Sequence, residues 1–537
     1  MKKIETNLID IHQRKIYPAA IHIESGFIKS IERIKESQKT YICPGLIDAH
    51  IHIESSMLVP YEFARIALCH GTVATVSDPH EIANVLGVDG VQYMIDNAKH
   101  ALLKFHFGAP SCVPATSYET AGAVIDSEQV TELLASDDIY YLSEMMNYPG
   151  VLNGDHEVMA KITAAHKIGK PVDGHAPGLM GQDAASYIHA GISTDHECYT
   201  IEEALGKLAY GMKILIREGS AAKNYEALHP LIADHADRLM FCSDDKHPDD
   251  LLVGHLDILI RRSLALGYDL FDLLRIASLH PVEHYHMNVG LLRVGDPADF
   301  IMIDDPASFR VLKTYINGIQ VADTERSILK PQTHRVVNHF NCAEIVVDEL
   351  SLEGETYDTP IIEAIDGALI TEKNIATGPS IYDGIISSNV KEDILKIAVV
   401  NRYQQAPPAI GFIKNFGLSA GAIASTVAHD SHNIISVGVG DESMTRAINI
   451  LVQSQGGLSA VYGGDMRHIA LPIAGLMSDL PCQDIGVAYA DLSAFVQSMG
   501  CLLRSPYMTL SFMALLVIPN IKISDKGMFD AENFSFY

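Results

Sequence analysis

The chain has 537 residues, 48% hydrophobic and 20% charged, a globular composition with more core than a single ordinary domain holds. Its 67 acidic and 39 basic residues leave a formal net charge of −28. Such a surface repels nucleic-acid phosphates and anionic membranes, so neither is an expected partner, whereas a neutral small substrate meets no such barrier.

Residues 1–42 alternate in short β-like runs, KIYPAAIHIES and GFIKSIERI, without helix-length periodicity. The leading MKKIETNLID lacks an apolar stretch, so no signal peptide is expected. A second β-rich stretch spans 288–337, with VGLLRVGDPADFIMID and FRVLKTYINGIQV punctuated by glycines and Asp-Pro turns. Two β segments flanking a long middle predict one small β-sandwich domain made from both.

Between them, residues 43–287 repeat a short apolar strand, a polar strand end and a helix-like segment. The strand ends are DAHIHIE (48–54), TVSDPHE (75–81), FGAPSCV (107–113), YLSEMMN (141–147), VDGHAPG (172–178), STDHECY (193–199), ILIREGS (214–220) and MFCSDDK (240–246). Their spacing, roughly 20–35 residues, is that of βα units. Eight such units predict an α/β fold, a (β/α)8 TIM-type barrel with its active site at the C-terminal strand ends. A doubly wound open sheet would gather the polar residues at one switch point instead of spreading them over many strands. Residues 338–537 mix glycine-rich turns, β-rich runs and a few helices, and predict a separate α+β domain. Its apolar run FMALLVI is too short to span a bilayer. The 8 cysteines form no CxxC pair and read as free thiols of a reducing cytoplasm.

The first barrel strand ends in His50 and His52, which at i and i+2 share a face and converge on one point. Alone, such a pair is common by chance. Glu144, His175, His196 and Asp244 end other strands. Each could be an ordinary barrel residue, but together they make a nitrogen and oxygen set for two divalent metal ions. That set suits Mn²⁺ or Fe²⁺, with Zn²⁺ also accommodated, over copper(I) or iron–sulfur chemistry.

The segments PGLIDAHIHIE, GHAPG, TDHE, the SDD of the eighth strand, ASLHPVEHY and GLLRVGDPADF resemble the amidohydrolase superfamily. HIHIESSM, SDPHEIANVLG and HDSHNIISVG are more closely similar to the bacterial-type adenine deaminase family, and the resemblance covers nearly the whole chain. It implies a binuclear centre, often iron or manganese, and hydrolysis of adenine to hypoxanthine and ammonia. It further implies that His50, His52 and Asp244 hold one metal, His175 and His196 the other, and that Glu144 bridges them. Cyclic-amide hydrolases of the superfamily usually offer a carboxylated lysine near that position, and SEMMN has none. Adenosine deaminases carry a glutamate shortly after the strand-5 histidine, where His175 is followed by APGLM. The Pro-Cys-x-x-Cys motif of the cytidine-deaminase type is absent.

The chemistry so implied is attack of an activated water on the purine carbon bearing the amine. Asp244 is expected to move the water's proton to the leaving amine, and either Glu144 or His80 to protonate the ring nitrogen. Asp78, His80 and Glu81 read either as a shell orienting water and substrate or as a helix cap with an acid in its first turn. Glu54, Ser55 and Ser56 either bind the purine edge or cap the next helix. Asp245 should point away from Asp244. The cluster His429–Asn433 either covers the site or forms a surface turn. Two other functions remain in view, an amidohydrolase opening a cyclic amide and a silent scaffold, the latter disfavoured by the complete ligand set. The expected partner is a small purine substrate, in a cytoplasmic homo-oligomer, a dimer by analogy with other self-associating barrels.

Overall fold

The computed structural model describes residues 2–537. Eight short strands form its centre: β1 Leu46–His52, β2 Thr72–Ser77, β3 Lys104–Ala109, β4 Ile139–Met145, β5 Val172–Gly174, β6 Thr194–Asp195, β7 Lys213–Arg217 and β8 Leu239–Cys242. All residues of β1 and β2 are buried, as expected of parallel strands covered on both faces. Strands β1 to β5 pair side by side in chain order, and so do β6 to β8. The Ser193 N–H donates to the Val172 carbonyl at 2.9 Å and joins β6 to β5. Past β8 the chain runs into Asp244–Asp245, which pairs in parallel with Ile51 and His52 of β1 and closes the ring. The architecture is the (β/α)8 barrel that the strand rhythm predicts.

Helices start where local chemistry satisfies their first amides. Asp126 accepts from the N–H groups of Glu128 and Gln129 at the head of helix Ser127–Leu134, while the Gln129 side chain accepts from the Asp126 N–H. Thr200 does the same for Glu203 at helix Ile201–Ala209.

Strands Lys2–Asp10, Lys15–Glu24, Phe27–Arg33 and Tyr41–Pro44 share one seven-stranded sheet with Phe300–Ile303, Val311–Ile316 and Ile319–Asp323. The two chain segments meet where Pro44 stands opposite Phe300 in antiparallel register. Ile21, Ile42 and Phe300 belong to a core of their own.

Beyond residue 350 an eight-stranded sheet is built around Ile394–Val400, Ala409–Lys414, Ala422–Ser425 and Ile434–Gly438. Helix Asp441–Ser454 packs on one face through Met444 and Leu451 against Ile434. On the other face Ile397, Ile413 and Ile435 join the same continuous core as Ile51 and Phe107 of the barrel. The C-terminal sheet is therefore seated on the barrel by shared apolar burial. The FMALLVI run starts at the end of helix Pro506–Phe512 and is buried except for the half-buried Val517. Among the described residues, no helix is long and apolar enough to cross a membrane, and all eight cysteines are free.

Candidate active site

The C-terminal strand ends bring the six predicted ligands together. His50 and His52 close β1, Glu144 lies near the end of β4, and His175, His196 and Asp244 follow β5, β6 and β8. All six are buried. His52 Nε2 lies 3.1 Å from His50 Nε2, 3.2 Å from Glu144 Oε1 and 3.3 Å from Asp244 Oδ1. The other Glu144 oxygen, Oε2, lies 2.8 Å from His175 Nδ1 and 3.2 Å from His196 Nε2. The His50 and His196 rings stack at 4.1 Å between centroids.

These donors fit divalent cations. The His52 Nδ1–H donates to the Asp78 carbonyl at 3.2 Å, which leaves the Nε2 lone pair aimed inward. That lone pair faces a second imidazole and two carboxylate oxygens, an assembly of acceptors that calls for positive charge at its centre. His175 Nε2 and His50 Nδ1 are buried without a partner among the described residues. Glu144 presents one oxygen to His52 and the other to His175 and His196. Burial alone would raise Glu144; when protonated, the imidazoles of His175, His196 and His52 supply that positive charge themselves and, against burial, hold the carboxylate well below its usual range.

Two charged residues escaped the sequence reading. Arg217, at the end of β7 and only 2% exposed, pairs with Asp244 Oδ2 and with Glu197. Burial opposes ionisation of Asp244, and Arg217 followed by His196, His50 and His52 overcomes it, leaving the carboxylate strongly acidic. Glu197, beside His196, sits 3.8 Å from His175 Nδ1 and 3.5 Å from His196 Nε2. An arginine closing the apolar strand KILIR was the available signal for the first.

His80 stands at the centre of a second ring of acids. Its Nδ1 is 3.1 Å from Asp78 Oδ2 and 3.5 Å from Glu144 Oε1, and its Nε2 is 3.6 Å from Glu81 Oε1. Burial would lower this imidazole, yet Asp78 and Glu81 hold it well above its ordinary value. Asp78 also accepts from the His80 N–H at 3.1 Å, so the helix-start reading and the shell reading both describe it. Glu54 accepts from the Ile82 N–H at 3.2 Å and so caps helix His80–Leu86, and Ser55 donates to Asp245. Glu54 Oε1, Ser55 and Asp78 Oδ1 thus have protein partners, while Glu54 Oε2 and Asp78 Oδ2 are buried without a hydrogen-bond partner among the described residues, and all three residues stand just behind those that line the cavity. Asp245 does line it, close to Glu81 and His429.

The cluster 429–433 is a cover, not a surface turn. Glu81 Oε1 lies 2.5 Å from His429 Nδ1, and its Oε2 contacts His432 Nε2. All three are buried. Burial opposes the His429 charge, but Glu81 and Asp245 raise this imidazole to about 9. His432 goes the other way, down to about 4, because burial prevails over its contact with Glu81. Phe512, Leu515 and Leu369 of the C-terminal domain complete the cavity wall. Lys522, buried and lowered to about 7 by that burial, donates to the Leu369 and Phe512 carbonyls at 2.6 and 3.0 Å and fixes this wall.

Comparison with known proteins agrees along the chain. The family model described as "Amidohydrolase family" matches residues 41–321, and "Adenine deaminase C-terminal domain" matches residues 368–535. An adenine deaminase of Sulfurovum sp. (strain NBC37-1) is 54% identical over 535 residues, covering 99% of both chains. Another, of Borreliella afzelii (strain PKo), is 51% identical over 542 residues, again 99% of each. A third, of Methanosarcina mazei, is 48% identical over 549 residues, 100% of this chain and 99% of the other.

Proposed function

The chain belongs to the adenine deaminase family of amidohydrolases, and we propose that its buried histidine and carboxylate centre carries the hydrolysis of adenine to hypoxanthine and ammonia with two divalent cations. The observation that carries the binuclear reading is Glu144, whose two oxygens serve different histidines. His50, His52 and Asp244 would hold one cation, His175 and His196 the other, with Glu144 between them. Manganese or iron is the proposed occupant and zinc an alternative, in keeping with a donor set of imidazole and carboxylate without thiolate. Two such cations would acidify a shared water and make it a nucleophile near neutral pH.

The side chains divide the remaining work. Asp244 receives the water's proton and passes it to the departing amine. Arg217 holds its Oδ2, which leaves Oδ1 on the side of His50 and His52. Glu144, engaged by three imidazoles and held ionised, has no proton to give. His80 has one, supported by Asp78 and Glu81, and is our choice for protonating the ring nitrogen beside the attacked carbon. Asp78 and Glu54 act as positioning residues behind it, and Ser55 behind Asp245. A reducing cytoplasmic setting is proposed in keeping with eight free cysteines.

The test is ultraviolet monitoring of the manganese-loaded protein with adenine, adenosine and guanine. Conversion of adenine with one ammonia released per base is the expected result. No change in the adenine spectrum, with two metals bound per chain, would overturn the proposal.

A further inference from the structure

We propose that Asp430, supplied by the C-terminal domain, selects the free base by accepting the N–H of the purine's five-membered ring. The inference rests on the adenine reading above. Asp430 is 2% exposed and lines the same cavity as the metal-type residues. Its Oδ2 has no hydrogen-bond partner among the described residues. The basic side chains beside it, with His80 Nε2 at 3.8 Å from Oδ2 and His429 Nδ1 at 3.9 Å from Oδ1, lie beyond hydrogen-bond reach. His429 is in any case committed to Glu81 at 2.5 Å. A buried carboxylate oxygen without a donor is costly, and a ligand N–H in this cavity relieves that cost.

Adenine offers two kinds of donor, its exocyclic amine and the N–H of its imidazole ring. The amine must lie beside Glu144 and Asp244, where it leaves. The ring of His80 spans the interval between the two places, with Nδ1 3.5 Å from Glu144 Oε1 and Nε2 facing Asp430. One imidazole ring with a contact at each end matches the long dimension of a purine. With the amine at Glu144, the five-membered ring therefore reaches Asp430, and its faces meet Phe512 and Leu515. A nucleoside carries a sugar in place of that hydrogen. It would leave Asp430 unpaired and press the sugar against the same apolar wall. A site built to bond a substrate N–H rejects analogues lacking it more strongly than a merely apolar pocket can.

The experiment uses the full-length, manganese-loaded chain, with Asp430→Ala and Asp430→Asn. Kinetics with adenine and competitive inhibition by purine and by 9-methylpurine are both measured, alongside metal content. For Asp430→Ala, the KM for adenine should rise about 10- to 100-fold, the loss of one charge-assisted hydrogen bond, while kcat stays within about threefold. The preference for purine over 9-methylpurine should collapse by the same factor. Asp430→Asn, whose amide oxygen still accepts, should fall between. Metal content should stay at that of the parent. An unchanged KM with an unchanged purine preference would overturn the proposal, as would a loss confined to kcat. If Asp430→Ala loses its metals, Asp430→Asn decides alone by the same two readouts. If the parent protein leaves adenine unreacted, the functional reading fails, and direct binding of purine and 9-methylpurine to the parent and Asp430→Ala, measured by calorimetry, decides for Asp430 instead.

Discussion

The two walls of this cavity are built in different ways. The barrel wall draws its polar groups from successive strand ends, so His50, Glu144, His175, His196 and Asp244 come from separate βα units. The C-terminal wall draws His429, Asp430 and His432 from one short turn and fastens to the barrel through Glu81, 351 residues from His432. The first wall concentrates ligand chemistry. The second excludes water and offers one free acceptor beside apolar rings. Closing a reactive centre with a cover drawn from a distant part of the chain lets the cover set which ligand enters while the barrel keeps the chemistry.

Substitutions that break one wall and spare the other sharpen this contrast. The largest effect belongs to the barrel wall. Asp244→Asn should lower kcat about 10²- to 10⁴-fold, the usual worth of a proton-transferring group, with the circular dichroism spectrum unchanged. Near-normal turnover in that variant would remove Asp244 from its role. Next comes the junction between the walls. Glu81→Gln leaves His429 buried beside a neutral partner and should cost about 3–5 kcal/mol in urea unfolding. Metal content should persist, because Glu81 is not among the six proposed ligands. Loss of both metals together with stability would show that the two walls are not separable.

The same junction predicts a pH dependence of similar or smaller size. His429 titrates near 6.5 when unfolded and at about 9 in the folded chain. Between those values the native state keeps a proton that the unfolded state has lost. The contribution is therefore complete below pH 6.5 and disappears as pH rises through about 9, amounting to at most about 3 kcal/mol. Urea midpoints at pH 6.5 and 9.5 for the parent and His429→Gln should differ by that dependence, and parallel curves would contradict it. The smallest effect is expected at Ser55→Ala, which removes one bond to Asp245 and should cost about 2 kcal/mol with little change in kcat.

The contrast between the walls also explains what could be read from the chain before it was folded. A ligand at the end of each strand leaves a rhythm, and the rhythm revealed the barrel and the six converging side chains. Arg217 was missed because its charge ends an apolar strand, where the strand pattern draws attention away from it. Glu197 was hidden by its neighbour His196. Glu81 and His432 leave no local pattern at all, since their contact is made only when the C-terminal sheet and the barrel come to share one core. Glu54 had two readings at the barrel mouth, and the cap it forms belongs to helix His80–Leu86, a partner that sequence adjacency does not suggest. Local periodicity thus records what a strand or helix does for itself. Contacts between domains are recorded only in three dimensions.

The central claim is a binuclear centre bridged by Glu144. Its most direct test is elemental analysis of the purified chain titrated with Mn²⁺, with adenine turnover followed at each point, for the parent and for Glu144→Gln. The account predicts two metals per chain at full activity in the parent, and loss of metal and turnover together in the variant. Full activity at one metal per chain, or an active Glu144→Gln protein that still holds two, would contradict it.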